Sequence, residues 1–545
     1  MFAGVHTGRI VPIYRGVQGV SVRAFRSLVY GLLAELPPDE PPPGFDVAPS
    51  YRFVSALRDL HFPAELEDAR KARLRFALQE CFASQFRVAW RRLRLRGKPG
   101  QVTAVGDGYV QELQGRLPFR MTGAQLRCLA EIRADMERPV PMNRLLQGDV
   151  GSGKTLVALC AMLLAVEAGK SAALLAPTQI LAEQHYRNFC RLLEGSDVRL
   201  SLRTGDRCDD SGLVFDDPNE ADSQPRLVVG THALLYKRSR PRGLGLAVID
   251  EQHKFGVEQR ERFISCGENP DVLVMTATPI PRTLTLTLYG DLDVSVIDEL
   301  PADRGEVVTA LRHPDRMKRI VAFMRSELAA GRQVYIVSPL IEEGSGRSQS
   351  SATAELERWQ GVFPEASVGL LHGRLSADEK EAVMGAFREG EVQILVATTV
   401  VEVGVDVPNA TLMLINDADS FGLSQLHQLR GRIGRGSHKG YCILLSRAKP
   451  GEPGREKLEV LCRTLNGFEI AEADFRLRGP GDVLGTAQSG LGAVRFAEWL
   501  TDMRLIARAN RDARAILEAD PELRAPEHAA LRALVADEGE QGAAC

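Results

Sequence analysis

Short apolar runs alternate with stretches of helical periodicity from about residue 119 to 458, a pattern of buried parallel strands joined through helices. Leu145-Leu146, Ala172 to Leu175, Leu227 to Val229, Leu246 to Ile249 and Val272 to Met275 predict the strands of one α/β lobe. Val334 to Val337, Val368 to Leu371, Ile394 to Val396, Leu412 to Ile415 and Cys442 to Leu445 predict a second lobe of similar size. Two such lobes, over residues 119–305 and 306–458, imply a cleft.

Outside the lobes the pattern changes. The run Leu36 to Gly44 holds five prolines, cannot continue a helix or a central strand, and sets off a leading piece, residues 1–48. Residues 49–118 read as a basic helical linker: ten Lys and Arg fall between Arg70 and Lys98 against the one acid Glu80. Leu74, Phe76, Leu78, Phe82, Phe86, Trp90 and Leu93 recur there at helical spacing. Such a helix either packs as a solvated linker or also touches DNA phosphates. Residues 459–545 read as helical apart from the Gly-rich segment Arg478 to Gly490, with a frayed tail at Asp537 to Glu540. Cys208 to Pro225, with six acids, is expected to be a surface loop.

Apolar residues at 44% and charged residues at 26% exclude a fibre or a wholly disordered chain, and 545 residues exceed one hydrophobic core. The longest apolar run, Leu156 to Val166, falls well short of the roughly 20 residues that span a bilayer. Met1 to Arg9 lacks the apolar core of a secretory signal, so a cytoplasmic protein is expected. Nine scattered cysteines without a C-x-x-C pair read as reduced and mostly buried. The net charge of −3 argues against a nucleic-acid coat but leaves room for the local basic track.

Two signatures carry the candidate chemistry. In Gly148-Asp149-Val150-Gly151-Ser152-Gly153-Lys154-Thr155 the glycines let backbone N–H groups curl around phosphates, Lys154 adds a charge toward the β and γ phosphates, and the Thr155 hydroxyl can ligate magnesium. Further on, Gln428-Leu429-Arg430-Gly431-Arg432-Ile433-Gly434-Arg435 offers Arg432 and Arg435 as fingers for the transferring phosphoryl group. Between them, Asp250-Glu251-Gln252-His253 follows the apolar run Leu246 to Ile249, at the carboxyl end of a strand. Asp250 is placed to hold magnesium through water and Glu251 to orient and deprotonate the attacking water.

These elements together resemble the superfamily-2 helicases, which implies RecA-like, doubly wound lobes and ATP with Mg2+ as cofactors. By that resemblance Phe119 and Gln125 are the adenine-recognition element, while Gly404 and Asp406 of Glu402-Val403-Gly404-Val405-Asp406, with Gln428, complete the ATP site. Ala176-Pro177-Thr178, Gly230-Thr231-His232 and Thr398-Thr399-Val400 resemble strand-tracking loops, making Thr178, Thr231, His232 and Thr399 candidate DNA contacts. Thr276-Ala277-Thr278 resembles the motif that couples ATP state to lobe movement.

From about residue 119 to 490 the chain is similar to the RecG family of branched-DNA helicases. The phosphate loop, Asp250 to Val257, Thr276 to Thr283, Ser295 to Pro301 and Pro339 to Glu343 carry the similarity. Gly467 to Asp482 resembles the family's translocation motif, a helical hairpin and loop that passes lobe movement to duplex DNA, with Arg476, Arg478 and Gln488 as candidate contacts. The resemblance implies an ATP-dependent helicase of stalled forks and recombination intermediates, monomeric and nucleoid-associated. Its partner is branched or double-stranded DNA, with single-strand-binding protein as a further candidate. A double-strand translocase that displaces bound proteins is the nearest alternative.

Two departures stand out. Family members begin with a larger wedge domain, of which Gly8 to Tyr14 resembles only the closing strand, so either the true start lies upstream or the protein works without a wedge. The stretch 49–98, including His61-Phe62-Pro63, resembles the family's linker. Residues 207–225 are acidic where the family has a basic helix, which weakens DNA contact there.

Overall fold

The computed structural model describes the chain apart from residues 1–3, 15–19, 39–44, 49, 97–99, 101, 104–105, 206–207, 212–224, 236–242, 277–291, 302–304, 340–346, 399–406, 435, 437, 479–502 and 544–545. The described residues form two compact units. One joins residues up to 96 with those from 503 onward, and the other holds residues 100–276 and 292–478.

In the first unit, helix α1 (Val22–Glu35) is capped by Ser21, whose hydroxyl accepts from Ala24 N at 3.2 Å. Helix α2 (Phe53–His61) packs on the 31-residue α3 (Leu66–Arg96), the helix that the basic track predicts. Phe76, Leu78, Phe82 and Phe86 line its buried face. Not all of the basic residues face water. Arg75 is 4% exposed, bonded to Asp46 at 2.9 Å and to the Tyr51 carbonyl, so it holds the unit together rather than offering charge to a partner.

The second unit opens with α4 (Gly108–Arg116) and α5 (Gly123–Met136) and continues into the first lobe. That lobe comprises β1 (Asn143–Gly148), α6 (Lys154–Glu167), β2 (Ser171–Leu175), α7 (Gln179–Leu192), β3 (Leu200–Arg203), β4 (Cys208–Ser211) and β5 (Leu227–Gly230). It closes with β6 (Leu244–Ile249), α8 (Val257–Ile264), β7 (Asp271–Thr276) and β8 (Asp293–Ile297). The strand order is β4-β3-β5-β2-β6-β7-β1-β8, parallel except for β4, which runs antiparallel to β3. Thus Cys208 to Ser211, expected within a loop, pairs as an edge strand; backbone pairing, not hydrophobicity, places it. Helix α6 is apolar all round because its residues Leu156 to Val166 are all buried in the core, each Leu or Val adding about 1.5–3 kcal/mol.

The second lobe contains β9 (Val307–Arg312), α9 (Met317–Ala329), β10 (Gln333–Val337), α10 (Arg347–Val362), β11 (Val368–Leu371) and α11 (Ala377–Glu389). It ends with β12 (Ile394–Ala397), β13 (Ala410–Ile415), α12 (Leu423–Arg430) and β14 (Gly440–Leu445). The order β11-β12-β10-β13-β14-β9 is wholly parallel. Both faces are buried, with Tyr335 and Val337 in one core and Val334 and Ile336 in the other, which is why these strands read as continuous apolar runs. The ten predicted strands are all present; β3, β4, β8 and β9 are additions at or near the sheet edges. Helices α13 (Pro453–Arg463) and α14 (Gly467–Arg478) then pack beside α12. In the first unit, α15 (Met503–Ala519) lies along α3, where Asn510 Nδ2 donates to Gln85 Oε1 at 2.8 Å, and α16 (Ala529–Ala543) follows.

Candidate nucleotide site

The phosphate-loop signature leaves the carboxyl end of β1, which lies between β7 and β8. Gly151 and Gly153 have φ of 78° and 83°, the left-handed region that a side chain rarely adopts, and they turn the loop into the N-terminus of α6. Lys154 Nζ donates to the carbonyls of Gly148 at 2.7 Å and Asp149 at 2.8 Å. The buried Ser152 hydroxyl has no hydrogen-bond partner among the described residues. A left-handed turn, the positive end of a 14-residue helix, an ammonium and a spare hydroxyl suit a polyphosphate.

Gln125 braces this loop from outside. Its Nε2 donates to the Ser152 carbonyl at 2.8 Å, and its Oε1 accepts from Thr122 N at 2.9 Å while Thr122 caps α5. The Gln125 side chain is buried, and Phe119, 41% exposed, is the aromatic near the start of α5 that stays accessible. Glu299 and Asp298 also secure α5: Glu299 Oε2 accepts from Ala124 N at 3.0 Å, and Asp298 Oδ1 lies 2.8 Å from Arg127 Nη2. Both acids belong to the Ser295 to Pro301 stretch, whose role as an anchor has no local signal in the sequence.

Asp250 and Glu251 emerge from β6, between β2 and β7, on the same carboxyl edge as the phosphate loop. Glu251 has φ of 51°, a strained conformation for a non-glycine residue of the kind that clusters at functional sites. Asp250 Oδ1 accepts from Glu251 N at 3.0 Å, and its Oδ2 lies 2.9 Å from Nε2 of the buried His185 of α7. Sequence reasoning missed His185, which sits on a helix with no motif of its own. Among the described residues no cluster of three or more metal-ligating groups occurs. A single oriented carboxylate fits magnesium, which takes its remaining ligands from phosphates and water.

The second lobe reaches the loop through α12. His427 Nε2 lies 2.5 Å from Asp149 Oδ1, and a Cβ placed on Gly431 would fall 2.5 Å from Val150 Cγ1. Gln428 and Arg432 flank these contacts and are half-buried. Burial alone would raise the Asp149 carboxyl; the hydrogen bond from His427, with those from the N–H groups of Gly467 and Val150, outweighs it and holds the group below its ordinary value. Arg435, Gly404 and Asp406 lie outside the described residues.

The expected nucleic-acid contacts fall in two places: Thr178 and Thr231–His232 follow the carboxyl ends of the paired strands β2 and β5, and Arg476 lies on α14. Thr178 spends its hydroxyl capping α7, Thr231 is 4% exposed, and His232 is exposed beside it. Arg476 is exposed on α14, 3.5 Å from Glu472. Thr399, the Arg478 side chain and Gln488 lie outside the described residues, as do most of the stretches Thr276 to Thr283 and Pro339 to Glu343. No helix among the described residues is long and apolar enough to cross a membrane.

Three family models match the chain: DEAD/DEAH box helicase over residues 122–287, helicase conserved C-terminal domain over 315–437, and ATP-dependent DNA helicase RecG, domain 3, C-terminal, over 464–537. The ATP-dependent DNA helicase RecG of Bacillus subtilis is 43% identical over 96% of this chain and 77% of its own. That of Synechocystis is also 43% identical, over 95% of this chain, and this chain spans 63% of the length of that relative. A solved structure of RecG bound to a three-way DNA junction superposes with a TM-score of 0.71 and 38% identity, covering 91% of this chain and 66% of that one.

Proposed function

This chain belongs to the RecG family of ATP-dependent DNA helicases, and on that premise we propose that it is an ATP- and Mg2+-dependent motor acting on branched or double-stranded DNA. The observation that carries the reading is the contact of α12 with the phosphate loop, because it puts groups from both lobes at one site.

In this reading Lys154 neutralises the β and γ phosphates, and Thr155 with Asp250 would hold Mg2+, which would supply Lewis-acid polarisation of the phosphate groups. Glu251 orients the attacking water and takes its proton. Gln125 keeps the loop in register, with Phe119 beside the adenine. Arg432, and Arg435 with it, supplies positive charge as the lobes close, while Gly404, Asp406 and Gln428 complete the second-lobe side of the site.

DNA is held through its phosphates, by the exposed His232 and Arg476 among the described residues and by Thr399, Arg478 and Gln488, with Thr178 and Thr231 shaping the loops beside them, so binding is sequence-tolerant and weakens with salt. The protein works as a monomer at the nucleoid, with single-strand-binding protein as a candidate partner. Its substrates are stalled forks and recombination intermediates. Lys154→Ala tests the core of the reading: DNA-stimulated ATP hydrolysis is lost while the circular dichroism spectrum is retained. ATP turnover that persists in this variant overturns the site.

A further inference from the structure

The Asp149 carboxylate does more than shape its own loop. Its Oδ1 meets His427 Nε2 at 2.5 Å, and its Oδ2 accepts from Gly467 N, the first residue of α14, at 3.0 Å. The three segments are far apart in sequence and are brought together at a buried carboxylate, 8% exposed. A negative group at the start of α14 also faces the positive end of that helix.

The geometry around His427 sets its proton. Arg430 Nη2 lies 2.9 Å from His427 Nδ1, and a guanidinium only donates, so Nδ1 accepts and the ring proton sits on Nε2, directed at Asp149. Arg430, itself 3% exposed, is fixed by the carbonyls of Leu461 at 2.7 Å and Thr464 at 2.9 Å, in the stretch that ends α13 and leads into α14. A second bond, Ser424 Oγ to Asp474 Oδ2 at 2.9 Å, ties α12 to α14. The other side of the same residue bears on the nucleotide: the Asp149 carbonyl holds Lys154 Nζ, and phosphate oxygens compete for the same ammonium protons.

We infer that Asp149 and His427 are positioning residues that couple the phosphate loop directly to helix α14, so that occupation of the loop moves the start of α14 through this contact between the lobes. The inference rests on the reading of the loop as an ATP site. It adds a route from nucleotide to the translocation element that does not pass through Arg432 or Arg435. Besides the Val150 N–H of its own loop, the carboxylate has two partners beyond the loop, one on α12 and one on α14, and acts as a latch between them. His427 keeps it aimed.

Hydrogen–deuterium exchange on the full chain, with and without the non-hydrolysable analogue adenylyl imidodiphosphate, tests the coupling. In the unaltered chain the analogue changes exchange at amides 467–470 by about fivefold or more, within the range of ordinary site-to-site coupling. His427→Ala binds the analogue but loses that response, and its DNA-stimulated kcat falls about tenfold with the KM for ATP moving less than about threefold. His427→Gln, whose amide both accepts from Arg430 and donates to Asp149, recovers at least half of each effect and separates positioning from loss of fold. An exchange response in His427→Ala equal to that of the unaltered chain overturns the inference, as does binding of the analogue to the unaltered chain without a response at 467–470. Failure of the analogue to bind the unaltered chain overturns the ATP-site reading and the inference together.

Discussion

Asp250 Oδ2 and His185 Nε2 are 2.9 Å apart, so α7, the helix capped by Thr178, bears on the carboxylate at the end of β6. The bond orients Asp250 as an outer-shell partner orients a metal ligand. His185→Ala is expected to lower ATP turnover by about 10- to 100-fold and to raise the Mg2+ concentration needed for half-maximal rate, read from ATPase rates across a Mg2+ titration. A normal Mg2+ requirement in this variant removes His185 from the site.

Gln125 holds the phosphate loop by one bond to the Ser152 carbonyl and one to Thr122 N. Gln125→Ala removes both and leaves a buried carbonyl unpaired, a loss of about 1–3 kcal/mol. Steady-state kinetics should show the KM for ATP rising by about tenfold, with a smaller change in kcat.

Gly431 has no room for a side chain, since a Cβ would meet Val150 Cγ1 at 2.5 Å and Cβ at 2.9 Å. Gly431→Ala forces the lobes apart or the loop aside, and overpacking of this kind costs about 1–3 kcal/mol. DNA-stimulated ATPase is expected to fall about tenfold and to recover in part in the Val150→Ala/Gly431→Ala double variant, where the nearer Cγ1 obstruction at 2.5 Å is gone and only the Cβ contact at 2.9 Å remains. A double variant no better than the single one rules out this steric account.

Asp271 opens β7 and is buried, and burial pushes its carboxyl from 3.8 up to about 7, against the pull of the Met142 N–H at 2.7 Å and of Lys170. The folded chain therefore binds this proton more tightly than the unfolded chain. The resulting stability is fully present below about pH 4, declines as pH rises toward 7, and is gone above that. Asp271→Asn keeps an acceptor for Met142 and cannot ionise. Denaturant titrations should find the variant more stable than the unaltered chain at pH 8, by on the order of 2–4 kcal/mol, with the gap closing near pH 4.

Much of this molecule is written locally. Most predicted strands, the edge strand Val368 to Leu371 excepted, are runs of apolar residues buried on both sheet faces, so Val334 to Val337 or Leu246 to Ile249 need no partner to be recognised. The phosphate loop is legible for the same reason: its glycines and Lys154 act through backbone geometry set within eight residues. The edge strand β4, Cys-Asp-Asp-Ser, is less so, because an edge position tolerates polar residues and leaves a weak pattern.

Residue order alone thus determined the two parallel-sheet lobes and the identity of the loop and acid pair at their strand ends. Only tertiary structure decided which residues support that chemistry: His185 on Asp250, Glu299 on α5, and His427 with Gly467 on Asp149. Those contacts join positions up to 318 residues apart, and each depends on a direction of approach that no spacing along the chain encodes. A histidine on an amphipathic helix looks the same in sequence whether it fills a core or aims a carboxylate, because the difference lies in its hydrogen-bond partner.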